Sequence, residues 1–200
     1  MYLYGASGHG KVIAEIAEEI NIKIDAFIDA NEKVDKILNY KVLHKLPKSP
    51  IEMIISIGDN LVRKNIVDAN PQFKYITLFH PNSFISKRAN IGSGSVIMAG
   101  VSINSETYIG SHCIVNTNSS IDHECQLEDY VHISPNVGLA GNVTIGEGTH
   151  VGIGANIIQQ VKIGKWCIIG AGSVVINDVP DYAVVVGNPG QIIKFNIHKK

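Results

Sequence analysis

From Ile85 to Val179 the chain repeats every six residues without an insertion. An aliphatic side chain opens every hexad, from Ile85, Ile91, Ile97 and Ile103 through Ile121, Ile133 and Ile145 to Val175. Four residues after each opener stands a small or slim one, as in Ser95, Thr107, Cys113, Ser119, Cys125 and Ala155. A period of six suits neither the helix nor the ordinary strand. It is the mark of a chain wound into a triangular, left-handed parallel β-helix, one hexad to a face and three to a coil. Sixteen hexads over residues 85–180 make a little over five coils. The second hexad position is often Gly or Asn (Gly92, Gly110, Asn116, Gly146, Gly164). Those positions are expected at corners that need unusual backbone angles.

The segment before the hexads alternates strand and helix. Tyr2–Tyr4 reads as a strand, Gly5-Ala6-Ser7-Gly8-His9-Gly10 as a tight turn, and Lys11 to Ile20 as an amphipathic helix. Strands follow at Ile24 to Ile28, Met53 to Ile57 and Tyr75 to Phe79, with a helix over Leu61 to Ala69. That order implies a small Rossmann-like parallel α/β sheet over residues 1–80. The β-helix and its tail then occupy 81–200, with the break at His80-Pro81. Ligands of such sheets bind beyond the carboxyl ends of the strands, here Gly5 to Gly10, Asp29 and Gly58. A helix N-terminus after glycines suits a phosphate, although such a turn also serves a purely structural role. After Pro180, Val184-Val185-Val186-Gly187-Asn188-Pro189 is expected to leave the repeat and pack back on the helix.

A net charge of −1 gives no electrostatic reason to expect nucleic acid or an anionic membrane as partner. No apolar run approaches the roughly 20 residues of a membrane span, and no signal peptide is visible, so the cytoplasm is the expected compartment. Cys113, Cys125 and Cys167 all occupy the inward hexad position and read as packing residues, neither nucleophile nor disulfide. A three-sided prism with small or apolar outward residues invites closure into a homotrimer, with clefts between adjacent prisms.

One stretch suggests chemistry: Asn116-Thr117-Asn118-Ser119-Ser120-Ile121-Asp122-His123-Glu124-Cys125. Ile121 and Cys125 point inward by register, which turns His123 and Glu124 outward or to a corner. Flanking carboxylates favour the protonated imidazole and so make it more basic. A solvated surface histidine is the plain alternative. His132 lies nine residues on, half a coil away, so it and His123 can share a site only across a subunit boundary. His150 lies one coil above His132, and the two should stack as a ladder. The histidine spacings 112–123, 123–132 and 132–150 contain no close pair for zinc, and no metal is expected.

The opening Tyr4-Gly5-Ala6-Ser7-Gly8-His9-Gly10, with Phe27-Ile28-Asp29, Ile57-Gly58-Asp59-Asn60 and Asn116 to Cys125, resembles the PglD/NeuD group of bacterial hexapeptide-repeat sugar acetyltransferases. The resemblance spans nearly the whole chain. It implies an enzyme that passes acetyl from acetyl-CoA to the 4-amino group of a UDP-linked 4-amino-4,6-dideoxy sugar. His123 would be the general base and Glu124 would raise its basicity. Asn116, His132, Gly141, Ile153 and Ala171 would line the acetyl-CoA path. Ser7, Gly8, His9, Asp29 and Gly58 would bind the nucleotide. O-acetylation of a sialic acid or related sugar is the alternative chemistry, and a β-helix scaffold is the non-enzymatic one. Many relatives end with Gly-x-Pro-Ala-Lys, whereas this tail reads Gly187-Asn188-Pro189-Gly190-Gln191.

Overall fold

A computed structural model describes residues 1–48 and 50–196. The N-terminal unit holds β1 (Tyr2–Tyr4), α1 (Gly8–Glu19), β2 (Ala26–Ile28), β3 (Lys36–Ile37), β4 (Tyr40–Leu43), β5 (Glu52–Ile55), α2 (Asn60–Asp68) and β6 (Lys74–Tyr75). Its sheet runs in the order β3-β4-β2-β1-β5-β6, parallel except for the β3–β4 hairpin. This is the expected α/β sheet, with the hairpin added between β2 and β5. The helix α1 forms because Ile13, Ala14, Ile16 and Ala17 fall on one face, and that face is buried.

The hexads build the expected triangular column. Its three faces are eight-, six- and five-stranded sheets, and strands along a face pair in parallel one coil apart, as His132 does with His150. The openers from Ile97 to Val175 are all at most 2% exposed. Inward hydroxyls and thiols reach carbonyls of the next coil: Ser95 to Gly110, Thr107 to Asp122, Cys125 to Ala140. The three cysteines are free and buried, as their register implies. Burial pushes the Cys113 thiol up to about 12, which keeps it protonated and inert.

Three expectations need correction. Left-handed backbone sits at the fourth hexad position, not the second: φ is 56° at His112, 60° at Glu124 and 60° at Tyr130. Second-position glycine answers a different demand, the closeness of the next coil. A Cβ on Gly92 would lie 2.5 Å from the Gly110 carbonyl carbon. Next, the stretch Tyr75 to Phe79 is not one strand. Lys74–Tyr75 joins β5, while Leu78–Phe79 pairs with Val96–Ile97 as the lowest rung of the column. Finally, Ala183–Val186 leaves the six-residue spacing, since Val185 pairs with Ile169 only 16 residues back, but it does not leave the column. It pairs in parallel with Ile168–Ile169 as one more rung, and only Gln191–Phe195 folds back antiparallel on it.

The outward side chains of the largest face, Leu78, Val96 and Ile114, are at most 1% exposed. They belong to the same apolar cluster as Ile13, Ile16 and Ala17 of α1. The N-terminal unit therefore lies on that face, and one continuous core joins it to the column.

Candidate active site

The residues singled out from the sequence fall into three groups. The first lies on one edge of the column. His123 and Glu124 follow the rung Ser120–Ile121 and project outward, with side chains 55% and 58% exposed. His123 Nδ1 lies 2.9 Å from Glu124 Oε2. A carboxylate only accepts, so Nδ1 carries the proton and Nε2 keeps its lone pair. Glu124 has the left-handed corner conformation, which aims its side chain back at the ring. Asp122 accepts the His123 N–H at 2.8 Å and the Asn104 amide at 2.9 Å, fixing the turn. Gly141 stands one coil above. A Cβ there would come within 2.6 Å of His123 Nε2 and Cε1, so the glycine makes the space that the ring occupies.

The second group runs along a different edge and the adjoining buried face. Ile153, 53% exposed, and Ala171 are stacked one coil apart. Below them Asn116 turns its amide toward His132 Nε2, 3.4 Å away. His132 Nδ1 lies 3.2 Å from the Gly58 carbonyl and therefore carries the proton that it donates there. His150 stacks on His132, with ring centroids 4.6 Å apart and planes 14° from parallel, as the one-coil spacing requires. His9 lies 6.3 Å from His132 on the other side. Burial, with the His150 and Arg63 charges, holds His132 down at about 3; burial with Arg63 holds His9 at about 4. Both rings are neutral near pH 7.

The third group is the N-terminal turn. Ser7 and Gly8 are exposed at the start of α1, whose first-turn N–H groups have no partner within the helix. Asp29 braces this turn: one carboxylate oxygen accepts from Ala6 N–H at 2.7 Å and the other from Asn31 N–H at 2.9 Å. A cleft of about 320 Å³ opens beside it, lined by Ser7, Gly8, Lys11, Val34, Lys36 and Leu38. Two lysines and a helix N-terminus make that cleft attractive to phosphate.

Gly58 thus touches His132 and His9 lies near it, which joins the second and third groups into one strip. The His123 edge is separate from it, across a face whose outward residues run from Phe84 through Ser102, Ser120, Gly138 and Asn156 to Val174. Lys11 and Lys36 were not singled out from the sequence; their position beside the glycine turn was the available signal for Lys11, and none existed for Lys36. Among the described residues no group of three or more His, Cys, Asp or Glu side chains could hold a metal ion. Nor is any helix among them long and apolar enough to cross a membrane.

Residues 1–69 match the PglD N-terminal domain, and residues 142–177 match six bacterial transferase hexapeptide repeats. UDP-N-acetylbacillosamine N-acetyltransferase of Bacillus subtilis (strain 168) is 41% identical over 111 residues, 48% of this chain. That match spans 50% of the curated relative's length. A perosamine N-acetyltransferase from Caulobacter crescentus, solved with CoA and GDP-perosamine, is 32% identical; the match covers 96% of each chain with a TM-score of 0.91. The acetyltransferase domain of PglB from Neisseria gonorrhoeae FA1090, in complex with acetyl coenzyme A, is 33% identical, with 96% of this chain and 98% of that one covered and a TM-score of 0.88. With likeness of sequence and fold over nearly its whole length, this chain belongs to the PglD-type hexapeptide-repeat sugar acetyltransferases.

Proposed function

We propose that the protein transfers the acetyl group of acetyl-CoA to the 4-amino group of a nucleotide-linked 4-amino-4,6-dideoxy sugar, with UDP as the carrier. The observation that carries this reading is the His123–Glu124 pair. Its ring is exposed, its Nδ1–H is held at 2.9 Å by a carboxylate, and its Nε2 is open beside Gly141. That is the arrangement of a general base. The choice of UDP follows the curated relative's name; the perosamine enzyme was solved with GDP-perosamine, so the carrier is part of the test.

In this reading the acceptor amine attacks the thioester carbonyl carbon directly. His123 Nε2 takes the proton that the amine loses, the carbon–sulfur bond breaks, and the protonated imidazole returns a proton to the leaving thiolate. A thioester is already activated, so no acyl-enzyme is needed. General-base help of this kind contributes about 10² to 10⁴ in rate. Asn116, Ile153 and Ala171 give the acyl carrier an extended edge, with His132 at its lower end. Ser7, Gly8, His9, Asp29 and Gly58 form or brace the nucleotide site.

The strip from the nucleotide cleft to Ala171 lacks a free base of its own, because His9 and His132 are buried. A homotrimer supplies one: the His123 edge of one protomer meets the acyl-CoA edge of its neighbour. The reading places the enzyme in the cytoplasm with both soluble substrates. The test is a panel of UDP-, GDP- and dTDP-linked 4-amino sugars, with sialic acid as the hydroxyl acceptor, each given acetyl-CoA and followed by free thiol and product mass. Acetylation of a UDP-linked amine is expected; thiol release only with hydroxyl acceptors would overturn the reading.

A further inference from the structure

The helix α2 packs Ile66 and Val67 against the sheet, yet its most deeply buried side chains are polar. Its buried residues are the polar Asn60 and Arg63, while Leu61 and Val62 are 40% and 44% exposed. Arg63 is 1% exposed, and a guanidinium at that depth is costly unless its donors are satisfied. Its partners are all neutral oxygens. Nε donates to the His112 carbonyl at 2.8 Å, and Nη2 to the Tyr130 carbonyl at 2.9 Å and to Asn60 Oδ1 at 2.8 Å. Nη1 donates to the Ile57 carbonyl at 3.0 Å and lies 3.4 Å from that of Gly58. Asn60 Nδ2 in turn donates to the Gly148 carbonyl at 2.9 Å.

His112, Tyr130 and Gly148 are not scattered acceptors. They are successive fourth-position corners of one edge, all with left-handed backbone. Coil-to-coil bonds at these corners run from the fourth-position N–H to the third-position carbonyl below, as Tyr130 to Ser111. The fourth-position carbonyls are left facing α2. Two side chains of one helix thus grip three coils, and the same guanidinium holds the loop that ends β5. The Gly58 carbonyl in that loop also accepts a hydrogen bond from His132 Nδ1–H.

We infer that Arg63, supported by Asn60, is a positioning residue: it fixes the nucleotide-binding unit on the column and, through Gly58, sets where the acceptor sugar meets the thioester. This rests on the function proposed above. Arg63 touches neither the His123 edge nor the exposed stretch at Ile153 and Ala171, and it reaches the acyl-CoA path only indirectly, through Gly58 and His132, so its main effect falls on the nucleotide side. The nearby positive charge also helps keep His9, His112, His132 and His150 unprotonated.

The test compares Arg63→Met, Arg63→Lys and Asn60→Ala in the full chain. In Arg63→Met, kcat/KM for the nucleotide amino sugar should fall about a hundredfold, the scale of a misplacement of about 1 Å. The acetyl-CoA Kd, by calorimetry, should stay within about threefold. Arg63→Lys should recover part of the loss. A folded Arg63→Met with wild-type kcat/KM, or with acetyl-CoA affinity lost in parallel, would overturn the inference. If Arg63→Met does not fold, Asn60→Ala decides by the same split, with about a tenfold loss expected for the missing hydrogen bonds and no loss refuting it. If the wild-type chain acetylates no nucleotide amino sugar, the proposed function fails instead. Amide exchange then judges the clasp: faster exchange at 57–60 in the variant upholds it, and unchanged exchange refutes it.

Discussion

His123 and His132 stand nine residues apart in one unbroken repeat, yet the fold gives them opposite chemistry. His123 sits on an open edge, with a carboxylate on Nδ1 and its other nitrogen free. His132 also faces outward, from its rung, but the N-terminal unit covers it, the Gly58 carbonyl accepts its Nδ1–H and Asn116 meets its lone pair. The hexad register decides only whether a side chain points in or out. What lies beyond an outward side chain is decided by the rest of the molecule. One histidine is left able to accept a proton, while the other is locked neutral as a contact.

That contrast can be broken most forcefully at His123. His123→Ala should keep the fold, by circular dichroism, and lower turnover at least about a hundredfold. A similar loss is not expected of His150→Gln, whose ring is a rung in the ladder. Turnover near wild type in His123→Ala would remove the base from the account. Next in size, Gly141→Ala should cost about tenfold in kcat, because a methyl would occupy space now held by the imidazole. Unaltered kcat there would show that the ring does not need its present place.

The buried set predicts an acid effect. The free imidazole value is near 6.5, while His9 and His112 are held at about 4 and His132 at about 3, chiefly by burial. The unfolded chain therefore binds protons that the folded one refuses as pH falls below 6.5. Stability is fully present above that value and is lost toward pH 4, by up to about 1.4 kcal/mol per pH unit for each such histidine. Between pH 6.5 and 5 few carboxylates titrate, so thermal melting in that interval isolates the histidines. A flat Tm there would contradict the burial. The smallest effect belongs to Cys125→Ala, expected to lower stability by about 1 kcal/mol and leave turnover unchanged. Loss of activity in it would give the thiol a role that its inward register denies.

The column was legible in the sequence because every hexad obeys one local rule, and the packing of Ile97, Ser95 and Cys125 follows from it directly. The His123 edge was legible for the same reason. Corner geometry was misread because Gly at the second position looks like a turn residue, whereas it answers the approach of the next coil. The N-terminal seam was not legible. Nothing in the sequence marks Asn60 or Arg63 for burial, since they sit at the start of a short helix, and only the contact of two remote units buries them. Gly58 and His132, 74 residues apart, meet for the same reason.

The account stands on a site shared between protomers, and subunit complementation tests that most directly. Two full-length variants are needed, His123→Ala to remove the base and Ile153→Glu to block the acyl-CoA edge, each inactive as a pure assembly. Unfolded together and refolded in equal amounts, they should regain about a quarter of wild-type turnover, since random mixing of trimers pairs intact edges at that frequency. Mixed assemblies that remain as inactive as either parent would show that base and thioester meet within one chain, and would contradict the account.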